Sequence, residues 1–171
     1  MIVVFDASTL VFLFTPDANA PTDPSTGRVV GNCQVRIKYL IADLQKAKAQ
    51  IIIPAPALAE VLVYAEDAAS EWLNILNRSR HFRIAPFDQL EAVECAAMAN
   101  VRRNGPKPNQ ALKRKAKFDE QIVAIARTQM ATLILSDDND IKRLVGDSVP
   151  VRGMADLLLP PEDLQTNLFP D

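Results

Sequence analysis

Short apolar runs alternate with longer amphipathic stretches along this chain. "IVVF" (2–5) is apolar and largely β-branched, reads as a strand, and stops at Asp6. Residues 7–14 then read as a helix, and the proline-rich "TPDANAPTDPSTG" (15–27) as a loop. From about 34 to 48, Val35, Leu40, Ile41 and Leu44 share one stripe and predict an amphipathic helix. "IIIP" (51–54) is a strand ended by proline, and "APALAEVLVYA" is helical with Pro56 in its first turn. Another helix covers about 68–78. "HFRIAP" is a third strand, and "FDQLEAVECAAMANVRR" is a long helix with Asp88 as its N-cap. "NGPKPNQ" breaks that helix, and a basic segment leads into a new one that starts near Asp119 in "FDEQIVAIARTQM". The strand "TLIL" (132–135), a short helix from about 138, the strand "VPVR" and a helix-like "MADLLL" complete the pattern.

Strands separated by helical segments predict an α/β fold, a parallel sheet covered by helices on both faces. Ligands of such sheets bind outside the carboxyl ends of the strands. Asp6 ends the first strand, and Asp137 and Asp138 follow "TLIL" after Ser136, so two acidic strand ends share one edge of the sheet.

Composition adds boundaries. A chain of 171 residues, 49% hydrophobic and 23% charged, predicts one globular domain over 1–171. The net charge of -2 conceals a basic block at 102–117, "RRNGPKPNQALKRKAK". Cys33 and Cys95 lie far apart without metal-ligand spacing and read as free thiols of a reducing cytosol. The apolar N-terminus lacks a basic leader region and carries Asp6 inside its run. No segment reaches the ~18 apolar residues of a membrane span. The expected location is cytoplasmic.

Two more acids stand in apolar surroundings. Glu60 lies in "PALAEVLVYA", and Asp119 precedes the buried-looking Ile122, Val123, Ile125 and Ala126. Singly, Glu60 reads equally as an acid on a helix edge and Asp119 as a charge complementing a helix N-terminus. Together with the strand-end aspartates they imply a cation. A carboxylate pair at ~4 Å repels by about 1 kcal/mol in water and about 4 kcal/mol at an effective dielectric of 20. Oxygen-only ligands suit Mg²⁺ or Mn²⁺ rather than zinc. The single histidine, His81, has no ligand-spaced partner and reads as structural. Catalysis would then come from the ion, which can acidify a water and stabilise charge on a phosphoryl oxygen.

"VVFDASTLV", "PALAEVLV", "FDEQIVAIA" and "LILSDDNDI", in that order from residue 2 to about 151, resemble the acidic motifs of the PIN-domain nucleases, and within them the VapC toxin branch. The resemblance implies a Mg²⁺- or Mn²⁺-dependent endoribonuclease with Asp6, Glu60, Asp119 and Asp138 as its acids and Asp140 as an accessory. It also implies Ser136 as the hydroxyl residue of the last motif, a homodimer, and a small antitoxin whose tail enters the acidic groove. Ser8, beside the first acid, serves a phosphate or a turn. Lys113, Arg114, Lys115 and Lys117 of the basic block suit an RNA backbone, or simply a solvated face. Two features depart from the family pattern: the long loop at 15–27, and Ile141 where an aromatic is common.

Two other classes compete. Haloacid-dehalogenase-like phosphatases use strand-end aspartates with Mg²⁺, and "SDDNDI" resembles their last motif. Their first motif needs an Asp two residues after the nucleophile, where this chain has Ser8. A PIN-like module that binds RNA or protein without cutting would have lost acids, whereas all four positions are filled here.

Overall fold

The computed structural model describes residues 1–103 and 110–161, and side chains only outside 101–115. The elements run β1 (Ile2–Phe5), α1 (Ala7–Phe14), α2 (Cys33–Lys46), β2 (Gln50–Pro54), α3 (Ala55–Val63), α4 (Ala69–Arg78), β3 (Phe82–Ala85) and α5 (Gln89–Arg103). They continue with α6 (Gln110–Thr128), β4 (Leu133–Leu135), α7 (Asn139–Val145) and β5 (Val151–Arg152). Single 3₁₀ turns occupy Glu66–Ala68 and Met154–Asp156.

The five strands form one sheet in the order β3-β2-β1-β4-β5, and every pairing is parallel. Val3 of β1 stands beside Ile51 of β2 and Leu133 of β4. The central strands are apolar throughout because both faces are covered: Val3, Val4, Phe5, Ile51, Ile52, Ile53, Ile134 and Leu135 are all fully buried. Right-handed crossovers dictate which helices cover which face. The chain steps from β1 to β2 to β3 in one direction, returns across the sheet to β4, and then steps outward to β5. That reversal puts α1–α4 on one face and α5–α7 on the other. In keeping with it, α1 packs on α2 and α3, while α5, α6 and α7 pack in series. The two directions diverge between β1 and β4, and a crevice opens at their carboxyl ends.

Two local expectations need correction. Asp119 is not at a helix start: α6 begins at Gln110, so the residue lies in the helix interior and its charge does not complement an N-terminus. The basic residues before it are good helix formers and carry the helix through the stretch that looks loop-like by charge. "MADLLL" makes one 3₁₀ turn only, and Pro160 with Pro161 prevents continuation. Asp88 does cap α5. Its Oδ1 accepts from Leu90 N–H at 3.1 Å, and Glu91 Oε2 accepts from Asp88 N–H at 3.2 Å, a reciprocal capping box.

The proline-rich loop is tied down. Val30 N–H donates to Pro21 O at 2.9 Å, and Thr22 forms an antiparallel bridge with Val29. The Asp23 carboxylate accepts from Ser25 N–H, Ser25 Oγ and Thr26 Oγ1. Gly27 closes the turn at φ +68, where a side chain would be strained.

Candidate active site

A cleft of about 850 Å³ opens at the carboxyl edge of the sheet. Asp6, Glu60, Asp119, Asp137 and Asp138 all line it. They come from the end of β1, the middle of α3, the interior of α6 and the turn after β4. Asp140 is not among the lining residues; it forms an exposed ion pair with Arg143 at 2.7 Å.

Asp6 is held from two sides. It is 5% exposed, and its Oδ2 accepts from both Ser8 Oγ and Ser136 Oγ at 2.8 Å. Each hydroxyl is itself oriented by a backbone donor. Ser8 Oγ accepts from Asp137 N–H at 3.1 Å, and Ser136 Oγ accepts from Asp138 N–H at 3.0 Å. With those lone pairs occupied, the hydroxyl protons point at Asp6. Burial pushes the Asp6 carboxyl above its ordinary value, the two serine hydroxyls pull it back, and Asp138 nearby raises it further.

The turn after β4 divides its acids. Asp138 is the N-cap of α7, with Oδ1 accepting from Asp140 N–H at 2.7 Å. Asp137 Oδ1 accepts from Met154 N–H at 2.8 Å and so joins this turn to the segment after β5. Its Oδ2 is buried without a hydrogen-bond partner in the protein, and burial raises its carboxyl pKa. Gly153 makes the contact possible, because a Cβ there would meet Asp137 Oδ1 at 2.4 Å.

The other predicted residues differ in burial and in distance from the cleft. Glu60 is exposed on the cleft surface, whereas Asp119 is 6% exposed. Lys117 is exposed on α6 but does not line the cleft. Lys113, Arg114 and Lys115 have side chains outside the described residues. Ser8 lines the cleft and Ser136 is fully buried behind it. His81 lies away from the cleft, with its carbonyl accepting from Ile51 N–H in the sheet. Neither Cys33 nor Cys95 forms a disulfide.

Two residues that the sequence reading passed over contribute. Thr9 is fully buried, and its hydroxyl lies 3.1 Å from Asp6 O and 3.0 Å from Leu135 O, fastening the ends of β1 and β4 together. A hydroxyl residue inside the apolar "TLVFLF" was the available signal. Asp17 lines the cleft from the proline-rich loop. Among the described residues, no group of three or more Asp, Glu, His or Cys side chains is set to hold a metal ion. No helix among them is long and apolar enough to cross a membrane.

No protein-family model matches this chain, and no curated protein matches it. Solved structures do. VapBC2 from Rickettsia felis, bound to a DNA fragment from its promoter, superposes with a TM-score of 0.59 at 14% identity, covering 90% of this chain and 98% of that one. The DNA-bound VapBC of Salmonella typhimurium gives 0.57 at 13% identity, with the same coverage. The chain has the VapC fold. VapC20 from Mycobacterium tuberculosis, described as a sarcin-ricin loop cleaving toxin, gives 0.53 at 16% identity, over 82% of this chain and 93% of that one. The likeness extends over most of both chains in each case, so the VapC fold accounts for the sheet, its helices and the crevice together.

Proposed function

We propose that this protein is a metal-dependent endoribonuclease of the PIN-domain VapC type, the toxin of a toxin–antitoxin pair acting in the cytoplasm. The observation that carries the reading is the cleft at the carboxyl edge, which Asp6, Glu60, Asp119 and Asp138 all line within a VapC fold. The donors suit a hard divalent cation, Mg²⁺ or Mn²⁺, since all are carboxylate oxygens. Asp6 fits as well, because burial disfavours its charged form until a cation neutralises it. Asp6, Glu60, Asp119 and Asp138 would hold the ion, with Asp140 as an accessory. When bound, such an ion supplies an acidified water and neutralises charge on the phosphoryl group.

The chain's own residues prepare that chemistry. Ser8 and Ser136 direct their protons at Asp6 Oδ2, favouring the ionised carboxylate and fixing its rotamer. Both serines thus act on an acid in this structure, which speaks for positioning over direct phosphate binding. Asp138 is fixed by capping α7, so the helix orients the carboxylate. Lys113, Arg114, Lys115 and Lys117 supply the cationic charge that draws an RNA backbone towards the acids. A small antitoxin and a second copy of this chain complete the proposed assembly.

The direct test is incubation of partner-free protein with RNA and Mn²⁺, followed by end-group analysis. Internal cuts that stop on chelation are expected. Intact RNA at every Mn²⁺ concentration would remove the nuclease reading.

A further inference from the structure

We propose that the cleft engages unpaired nucleobases, and that Tyr64 and Phe118 are the platform on which they stack. The inference rests on the nuclease reading and adds the way substrate is held.

Beside its acids the cleft offers phosphates little attraction, whatever the basic block contributes to drawing RNA in. Among the described residues, six carboxylates line it, those of Asp6, Asp17, Glu60, Asp119, Asp137 and Asp138, and no described Lys, Arg or His does. Each phosphate brought in meets negative charge that a bound cation offsets only in part. Bases carry no charge and have two flat π-faces. Aromatic side chains bind them without regard to charge, and stacking is the usual source of affinity for single strands.

Tyr64 and Phe118 line the same cleft and are 68% and 53% exposed. Large aromatic surface left in water next to a polar site signals a binding function. Their positions are tied to the acids by helix geometry. Tyr64 is the C-cap of α3 and follows Glu60 by one turn, on the same face. Phe118 immediately precedes Asp119 in α6. A base stacked on either ring therefore lies next to an acid-bearing turn of helix, and its sugar-phosphate link is delivered to the carboxylates.

The proline-rich loop supplies the groups that can read base edges. Thr15 and Asn19 line the cleft beside Pro21, and the Pro21 carbonyl is pinned by Val30 N–H at 2.9 Å. An amide and a hydroxyl on a fastened loop suit Watson–Crick edges exposed by unpairing. A duplex offers neither its base faces nor those edges.

The test uses full-length, partner-free protein and a short oligoribonucleotide containing 2-aminopurine, as a single strand and as a duplex. Ca²⁺ replaces Mn²⁺ during binding, and Mn²⁺ is used for a separate cleavage assay. The single strand is expected to bind with quenched fluorescence and the duplex to bind far more weakly. Tyr64→Ala and Phe118→Ala should each weaken binding roughly tenfold and reduce the quench, whereas Tyr64→Phe stays within about twofold. In Mn²⁺, KM should rise with little change in kcat, because stacking holds substrate and transition state alike. Circular dichroism confirms the fold of each variant. Equal affinity for single strand and duplex, or alanine variants that bind and cleave as wild type does, would overturn the stacking platform and leave the nuclease reading intact. Alanine variants that keep RNA binding but dissociate from a dimer to a monomer would also overturn it, by placing the rings in a protein interface. Quenched, ring-dependent binding without any cleavage would support the platform and remove the nuclease reading instead.

Discussion

Two buried acids, Glu91 and Asp6, are both raised by burial, yet their carboxyls end up shifted in opposite directions. At the seam between α5 and α6, Glu91 is 3% exposed and its carboxyl is held at about 2, first by hydrogen bonding with Asp88 and then by Thr128. Thr128 Oγ1 donates to Glu91 Oε1 at 2.6 Å, Arg127 pairs with Glu94 at 2.8 Å, and Arg127 also donates to Leu144 O at 3.2 Å. At the cleft, Asp6 has two hydroxyl donors and is nevertheless pushed up by burial and by Asp138. The seam satisfies its acids with donors of the protein, which is how a structural carboxylate is kept. The cleft assembles carboxylates without a cationic side chain among its described lining residues, which is how a site that awaits a cation is built.

The comparison breaks most visibly through activity. Asp119→Asn and Asp138→Asn should each lower Mn²⁺-dependent RNA cleavage by roughly a thousandfold, about 4 kcal/mol in transition-state stabilisation. Asp140→Asn should lose part of the activity. Asp137→Asn should keep most of it, because the Asn oxygen can still accept from Met154 N–H. The assay is initial-rate cleavage at saturating Mn²⁺ with circular dichroism on each variant. A dead Asp137→Asn beside an active Asp138→Asn would reverse the assignment within the turn.

At the seam the expected effect is on stability. Glu91→Ala removes the reciprocal cap and the Thr128 partner and should cost about 1–3 kcal/mol in urea unfolding at pH 7. The Glu91 carboxyl is lowered in the folded state, so its contribution is present above the ordinary value near 4.5 and is lost as pH falls from there towards about 2, while Asp88, raised by the same contact, offsets part of it. The difference between wild type and Glu91→Ala should therefore shrink across that window. A constant difference from pH 7 to pH 3 would show that ionisation of Glu91 does not contribute.

The smallest expected effect is thermal. Mn²⁺ at ten times its Kd should stabilise the wild type by about 1.4 kcal/mol, a rise of roughly 3–6 °C in Tm. Asp6→Asn should lose most of that rise. The control is matched ionic strength without divalent ion. Equal shifts in wild type and Asp6→Asn would place the ion elsewhere.

The strands were legible because a sheet covered on both faces needs unbroken apolar runs such as "IVVF" and "IIIP". Asp6 and the acids after "TLIL" were legible because a strand end is where an apolar run stops. The position of Asp119 within its helix was not, since helical charge and loop charge look alike in "ALKRKAK" and only the folded chain shows where α6 begins. Thr9 and the two serines also exceeded what the sequence conveys. Their work depends on which hydrogen bonds cross between β1 and β4, and that pairing joins residues about 130 positions apart. Glu91 was concealed differently. Its capping partner lies three residues away and is visible in "FDQLE", but Thr128 reaches it only across the seam.

The extent of α6 makes the helix act as a screw thread between the two regions. Asp119 faces the cleft and Thr128 faces Glu91, nine residues and about 13 Å further along the same axis. The seam sets the rotational phase of the helix, and the phase sets the direction in which Asp119 points. A single residue inserted between them would turn one end by about 100° relative to the other. The strands and their pairings would be untouched, yet either the acid or the threonine would face the wrong way. Length between these two positions is thus under tighter restraint than the identity of the residues that fill it.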